Sequence, residues 1–534
     1  RTASMAVLDY ASKYREELLW NRYQAGRNAI NKYSQNPPYA YIIPQQQRDP
    51  GTAADMLRRL AFNGVRVEQL DKDAMHDGVK YPGGTWVIPM DQEYAELVRQ
   101  LFEPQEYPDL REYPDGPPDQ PYDAAGWTLP YQMDVRVVQA RVPLTPAFRA
   151  SLKPVQGKTV DWHTAPDAPF TTNAEAAGIV PPPARITGRG EMLSVDPAQN
   201  DAFKLINRAL AAGGAVQYED GGARGGRYIV SGVGASKEDA WANELSLRAE
   251  HKAAVGASAT PVHARIAVYK PWTASMDEGW IEWLLDQYQF HYSIIDNADV
   301  QAGDLGSRFD VVLIASDRPR TIIDGFAKGT VPPRYEGGIG DEGVRALDTF
   351  VREGGTIVCL NASSDFAIQA LHLPVKNVVA GLPRKDYFAS GSILDIITDP
   401  SHPVMAGMPE HARVFSDGSP VFTTLDGFEG SILAKYQKEG SPRVSGYLLG
   451  EKYIDGYAAA VDVKHGRGHA ILLGFRPQWR GQPFGTFRVV FNSTMYSREL
   501  ADKAKGAPGF WTAPPKRDEK AAETPAGGGR RPPR

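Results

Sequence analysis

The run Arg265-Ile-Ala-Val-Tyr269, followed by Lys270-Pro-Trp272-Thr-Ala-Ser-Met-Asp277-Glu278-Gly-Trp280, constrains the fold of this 534-residue chain more than any other stretch. Successive apolar residues suit a strand buried on both faces, and the loop then delivers a helix whose first turn carries two carboxylates. An open α/β domain begins in this way, and its ligands sit beyond the carboxyl ends of the strands. No metal motif, nucleophile elbow or phosphate loop elsewhere in the chain is as clear. The residues alone therefore define an architecture and not a reaction.

The spacing downstream continues the pattern. A helix is expected over 277–289, with Trp280, Ile281, Leu284, Leu285 and Tyr288 on its core face. Strands follow at 291–295 and at Phe309–Ser316, the latter continuously apolar like a central parallel strand. A helix over 341–353, the strand Thr356–Leu360 and a helix over 364–371 complete the alternation that argues a doubly wound sheet. Later segments (Val421–Leu425, Tyr447–Gly450, Ala458–Val463, Gly468–Gly474) read as strands and suggest an antiparallel extension.

Two smaller α/β units precede this domain. Residues 3–30 carry a helical pattern with Val7, Ala11, Tyr14, Leu18 and Tyr23 on one face, ended by Asn36-Pro37-Pro38. The stripe needs something to lie against. The strand Tyr39–Ile43, a helix over 53–62 stopped at Asn63-Gly64, strands at 65–70 and 85–89 and a helix over 91–102 form the first unit. A helix over 203–212 stopped at Gly213-Gly214, strands at 215–218 and 227–231 and a helix over 237–250 form a second. Their similar order suggests a pseudo-repeat, against the plainer view that any two αβ units look alike. Pro-rich stretches 104–125 and 164–185 read as linkers or surface loops. The expected boundaries are 1–34 (a joining helix), 35–140, 141–258, 262–500 and a disordered tail over 501–534.

Net charge is -5 with both signs interspersed, which gives no nucleic-acid or anionic-membrane surface. No apolar run approaches the roughly 20 residues of a spanning helix. Cys359 is the single cysteine, so an intramolecular disulfide and a Cys-based zinc knuckle are both excluded. The chain starts at Arg1 without a leader pattern, and an upstream segment is expected.

Each chemical motif has a bland rival. None of the ten His has Glu three positions later, and His465 and His469 flank a glycine-containing turn rather than a helix face. Gly338-Ile-Gly340-Asp-Glu-Gly343 matches a dinucleotide pattern, but no strand feeds it directly. Cys359 sits inside Thr356–Leu360, where an inert buried thiol is the default. Ser363 falls roughly at a strand-to-helix elbow, without the flanking Gly residues such an elbow uses. Asp277 and Glu278 favour a helix dipole, or with Trp272 line a ligand crevice. Arg476, Gln478 and Arg480, among aromatics, suit either a bidentate anion clamp or a domain interface.

Pro38-Tyr-Ala-Tyr-Ile-Ile-Pro44, Pro121-Tyr-Asp-Ala-Ala-Gly-Trp-Thr-Leu-Pro130, the Tyr269–Trp280 motif and Gly474-Phe-Arg-Pro-Gln-Trp-Arg-Gly-Gln482 together resemble the C-terminal region of large bacterial zinc carboxypeptidases of the carboxypeptidase A type. The resemblance spans residues 3 to 500. It implies an upstream peptidase domain that holds zinc and takes peptide substrate. It also implies an exported or periplasmic location, and a last domain similar to class I glutamine amidotransferases. The family's zinc ligands and general-base Glu belong to that preceding domain, and no position here matches them. The expectation is an accessory region without cofactor, membrane span or nucleic-acid partner. The alternative is an independent small-ligand-binding or hydrolytic domain that uses the crevice near Trp272, Asp277, Glu278, Ser363, Arg476, Gln478 and Arg480.

Overall fold

The computed structural model describes residues 1–163, 169–222 and 225–515. It is a mixed α/β protein in which three sheets share one continuous apolar core: Leu57, Phe203, Val268 and Phe491 all belong to the same buried cluster.

The first sheet is built from β1 (Ala40–Ile43), β2 (Glu68–Leu70), β5 (Trp86–Pro89), β6 (Val138–Ala140) and β7 (Leu152–Pro154), with β3 (Ala74–His76) and β4 (Val79–Tyr81) as a separate hairpin. Its order is β6-β1-β5-β2-β7, antiparallel throughout. The helix Pro50–Phe62 crosses between β1 and β2. Asp49 caps it by accepting from the Thr52 amide at 3.2 Å, Pro50 opens its first turn, and Gly64 leaves it at φ +92°. The sheet runs past residue 140, so a boundary there falls inside the first unit.

The second sheet comprises β8 (Arg185–Gly188), β9 (Met192–Val195), β10 (Ala215–Glu219), β11 (Arg227–Ser231), β12 (Arg248–Lys252) and β13 (Thr260–Pro261), in the order β13-β10-β11-β9-β12-β8. Its central part, β12-β9-β11-β10, repeats β6-β1-β5-β2 strand for strand. Both are split β-α-β arrangements of the ferredoxin-like kind. The correspondence reaches single hydrogen bonds. Gln47 exchanges two bonds with the Arg136 backbone (2.9 and 3.0 Å), and Gln199 exchanges two with the Arg248 backbone (2.8 and 3.0 Å). Two residues before each arginine the chain turns through a left-handed residue, Asp134 and Ser246, both at φ 54°. The expected pseudo-repeat is thus present in topology, in polar pairing and in backbone conformation.

The third sheet contains β14 (Ile266–Tyr269), β15 (Tyr292–Ile295), β16 (Val311–Ile314), β17 (Thr356–Leu360), β18 (Val375–Asn377), β20 (Ser392–Thr398), β21 (His411–Ser416), β22 (Phe422–Thr424), β23 (Gly430–Lys435), β24 (Arg443–Ser445), β26 (Ala458–His465) and β27 (Gly468–Leu473). The remaining strands β19 (Phe388–Ala389) and β25 (Leu448–Leu449) pair with each other. Strands β15-β14-β16-β17-β27 are parallel, and the sheet continues antiparallel through β26, β23, β20 and β21. The helix Met276–Gln287 buries Ile281, Leu284 and Leu285, whereas Trp280 is only partly covered.

Further expectations need correction. The helix expected over 237–250 ends at Glu244, because Ser246 turns the chain at φ 54° and the residues from Arg248 on pair as β12. The arm is two helices, Thr2–Lys13 and Arg15–Gln35, and only Gly26, Ala29 and Tyr33 are buried, so Val7, Tyr14, Leu18 and Tyr23 face outward. The stripe has no partner among the described residues. Of the two readings of 104–125, the surface loop holds and the linker does not: the segment is largely exposed, yet Gln105, Asp109 and Ala125 bond to Ser445, Tyr447 and Gly391 of the last domain. The tail is ordered well beyond residue 501. Phe510 and Trp511 pack on the core and the Trp511 indole donates to Gly456 at 2.9 Å; residues 516–534 lie outside the described residues.

At the centre lies the helix Phe484–Thr494, buried along its whole length. Phe487 and Phe491 meet Tyr288, and Phe491 also meets Phe203 and Phe290, so one helix joins the second unit to the last domain. Asn200 donates to Phe484 O (2.9 Å), and Asn492 accepts from Tyr228 Oη (2.9 Å). Replacing Gln199 with Ala leaves a backbone donor and acceptor of Arg248 without their side-chain partner inside the second unit. We expect a loss of about 1–3 kcal/mol in denaturant unfolding, whereas an exposed-site control such as Arg27→Ala should change stability by less than about 0.5 kcal/mol.

Candidate functional site

The parallel strands end together at one edge of the third sheet, and the sequence-derived candidates gather there. After β14 come Trp272, Asp277 and Glu278; after β16, Ser316 and Asp317; after β17, Asn361; after β27, Arg476 and Gln478. Ser275 caps the helix by accepting from the Glu278 amide at 3.3 Å, which places both carboxylates in its first turn.

Three of the candidates, Asp277, Arg476 and Gln478, engage one another, and the rest have partners of their own. Arg476 reaches Asp277 at 2.7 Å and Asp417 at 3.5 Å, and Gln478 Nε2 donates to the Asp277 carbonyl at 3.4 Å. Arg480 leaves the crevice and pairs with Asp123 at 2.8 Å, so it ties the 104–125 stretch to the last domain. Trp272 donates to Asp296 at 3.3 Å and meets the Tyr335 ring edge-on at 5.9 Å. Lys270 lies 3.8 Å from Glu278 and 2.6 Å from Glu282.

Ser363 does not occupy the elbow. Asn361 does: it is the residue directly after β17, held at φ 50°, a conformation Asn tolerates better than most residues. Its Nδ2 donates to Ser316 Oγ (3.1 Å), and its Oδ1 accepts from Ser419 Oγ (2.6 Å). Ser363 lies two residues on, fully buried, with its hydroxyl within bonding distance of the Ile314 and Leu360 carbonyls (3.1 and 2.9 Å). The elbow thus presents an amide, which has no nucleophilic lone pair to offer. Cys359 is buried within β17, and burial pushes its thiol far above its usual range.

Ser316, Asp317, Asn361, Asp417 and Ser419 carry no motif, and sequence reasoning misses them. The one available signal is position: four of the site's segments directly follow parallel strands.

Burial dominates the electrostatics. It raises Asp277 above the usual carboxylate range, partly offset by Arg476. It pushes Asp317 up to about 6, with the Ser275 hydroxyl opposing and the Asp277 charge adding. Glu278 is pushed up to about 8 by burial and by the Glu282 carboxyl beside it. Asp277 Oδ1 and Gln478 Oε1 are buried without a protein partner.

The two histidines of the β26–β27 hairpin bond to separate carboxylates, His465 to Asp348 (2.6 Å) and His469 to Asp462 (2.7 Å). Among the described residues, no three His, Cys, Asp or Glu side chains form a group placed to hold a metal ion. The Gly338–Gly343 segment enters the helix Gly340–Arg352 from a loop, so the strand that a dinucleotide motif requires is missing from its lead-in.

No family model matches the chain, and no curated protein matches it. Solved structures give partial likenesses. A cytoplasmic protein of Salmonella typhimurium is 13% identical over 44% of this chain and 98% of its own, at a TM-score of 0.29. A ThuA-like protein from Bacteroides uniformis is 12% identical over 45% and 92%, at 0.26. A β-galactosidase from Bacillus circulans is 13% identical over 44% and 31%, at 0.27. Likenesses at this level carry no argument about activity.

A carboxyl whose folded pKa lies above its unfolded value stabilises the fold fully below the unfolded pKa, and that stability is lost as pH rises through the folded one. Glu278 therefore costs stability as pH rises from about 4.5 towards 8. Thermal melts of Glu278→Gln and the parent should diverge in this window, the variant gaining on the parent as pH rises. A difference in Tm that stays constant from pH 5 to 9 would contradict the assignment.

Proposed function

We propose that this chain is a non-catalytic accessory region of a zinc carboxypeptidase-like protein, built to hold domains together rather than to turn over substrate. One observation carries the reading. The polar side chains at the ligand edge of the parallel sheet are engaged in links between segments (Asp277 with Arg476, Asn361 with Ser316 and Ser419, Arg480 with Asp123). An amide stands where a nucleophile elbow would present its reactive atom.

Two further features support the reading. The arm Thr2–Gln35 exposes Leu8, Leu19, Trp20 and Tyr23, a surface suited to cover by a neighbouring domain. The parallel strands, with helices in their crossovers, fit a doubly wound domain similar to glutamine amidotransferases. On this proposal the zinc, the peptide substrate and the peptidase chemistry belong to an upstream domain of an exported protein, and the arm is the joint. Among the described residues no helix is long and apolar enough to cross a membrane.

A second reading, a small-ligand crevice beside Trp272 and Asp277, draws on the unpartnered Asp277 Oδ1 and Gln478 Oε1. One experiment separates the two. The purified chain is incubated with zinc and C-terminally blocked and free peptides, its bound zinc is quantified, and its melting is followed with amino acids, peptides, sugars and nucleotides. The accessory reading expects no peptide trimming, no stoichiometric zinc and no ligand-induced rise in Tm. Stoichiometric zinc with release of C-terminal residues overturns it. A ligand that raises Tm for the parent but not for Asp277→Asn transfers the weight to the crevice.

A further inference from the structure

A groove of about 580 Å³ opens at the other end of the parallel sheet, where the helix Ala202–Ala211 of the second unit meets the starts of β14 and β15. Its volume lies within the range of small-molecule sites, roughly 300–1,000 Å³, and such sites favour seams between units. The floor is apolar: Leu210, Val262, Ile266, Phe290, Phe309 and Met495. The basic groups among its lining residues are His263, Arg265, His291 and Arg308, the Tyr292 phenol also lines it, and among the described lining residues there is no carboxylate.

These four basic groups differ in availability. Arg265 is held by Asp310, which accepts from its Nε at 3.1 Å and its Nη2 at 2.8 Å, and its remaining donors reach the Gly306 and Ser307 carbonyls. Arg308 has looser ties. Its guanidinium lies over the Phe309 ring at 4.8 Å, its nearest carboxylate oxygen, on Asp299, stands at 3.7 Å, and its side chain is 44% exposed. His263 and His291 are exposed at the rim. An aromatic floor thus continues into a rim that carries one loosely tied guanidinium and two imidazoles.

We infer that this groove binds a small amphipathic carboxylate, its hydrocarbon body on Phe290, Ile266 and Leu210 and its anionic head at Arg308 and His291. The apolar floor supplies burial of the hydrocarbon body. The guanidinium supplies a charge-assisted hydrogen bond that an uncharged analogue cannot match. The site is separate from the crevice described above and does not depend on the accessory reading.

Octanoate and octanol, matched in length and differing in head group, test the inference by calorimetric titration into the intact chain. Octanoate should bind with one-to-one stoichiometry and at least tenfold more tightly than octanol. Ala211→Trp, which places an indole in the groove from an exposed helix end, should weaken octanoate at least tenfold. The double variant His291→Ala/Arg308→Ala alters only exposed side chains, and it should bring octanoate down to the affinity of octanol. Failure of octanoate to bind, equal affinity for both probes, or octanoate binding that survives both sets of substitutions would overturn the inference.

Discussion

A helix buried on every side organises this protein. Phe484–Thr494 has no solvent face, so each of its sides must be covered by a different part of the chain. Phe491 meets Phe203 of the second unit and Phe290 of the last, while Asn200 reaches the helix start and Tyr228 reaches Asn492. Two ferredoxin-like sheets and one mixed sheet therefore share a core. The short segment from β27 into this helix has to be held rigidly, because an error in its path would displace every contact downstream.

That requirement explains the chemistry at the carboxyl edge of the parallel sheet. Arg476, Gln478 and Arg480 lie on this entering segment, and their partners are Asp277, the Asp277 carbonyl and Asp123. A clamp that could have gripped an anion instead fixes the approach to the central helix. Desolvation makes such a fixing pair costly to break, which favours a unique arrangement over a loose one. Asn361 serves the same end from β17, bridging the loops after β16 and β21 through Ser316 and Ser419.

Local pattern made much of the fold legible. Thr356–Leu360 is read to the residue, and the continuously apolar stretch around Val311–Ile314 is read as a central strand. The repeated unit was visible as a helix, a glycine stop and a strand, although its boundary at 140 missed β7, which pairs with β2 from 82 residues beyond it. The central helix was not legible. Phe484-Gly-Thr-Phe-Arg-Val-Val-Phe-Asn-Ser-Thr is rich in aromatic and β-branched residues of modest helix propensity, and tertiary packing overrides that preference. Strands β20, β21 and β23 escaped for a related reason, since their pairing is set by distant partners.

Of the candidate site, the residue types were legible and their partners were not. Arg476 and Asp277 are 199 positions apart, and nothing local to either predicts their contact. The elbow shifted from Ser363 to Asn361 because a positive φ leaves only a weak compositional trace when the residue is Asn. The central claim is that Asp277 and Arg476 act on each other. A double-mutant cycle of Asp277→Asn and Arg476→Gln, read by equilibrium unfolding, measures this directly. The account requires a coupling on the order of 1–3 kcal/mol, with each single variant destabilised. Additive effects with no coupling, or single variants as stable as the parent, would contradict it.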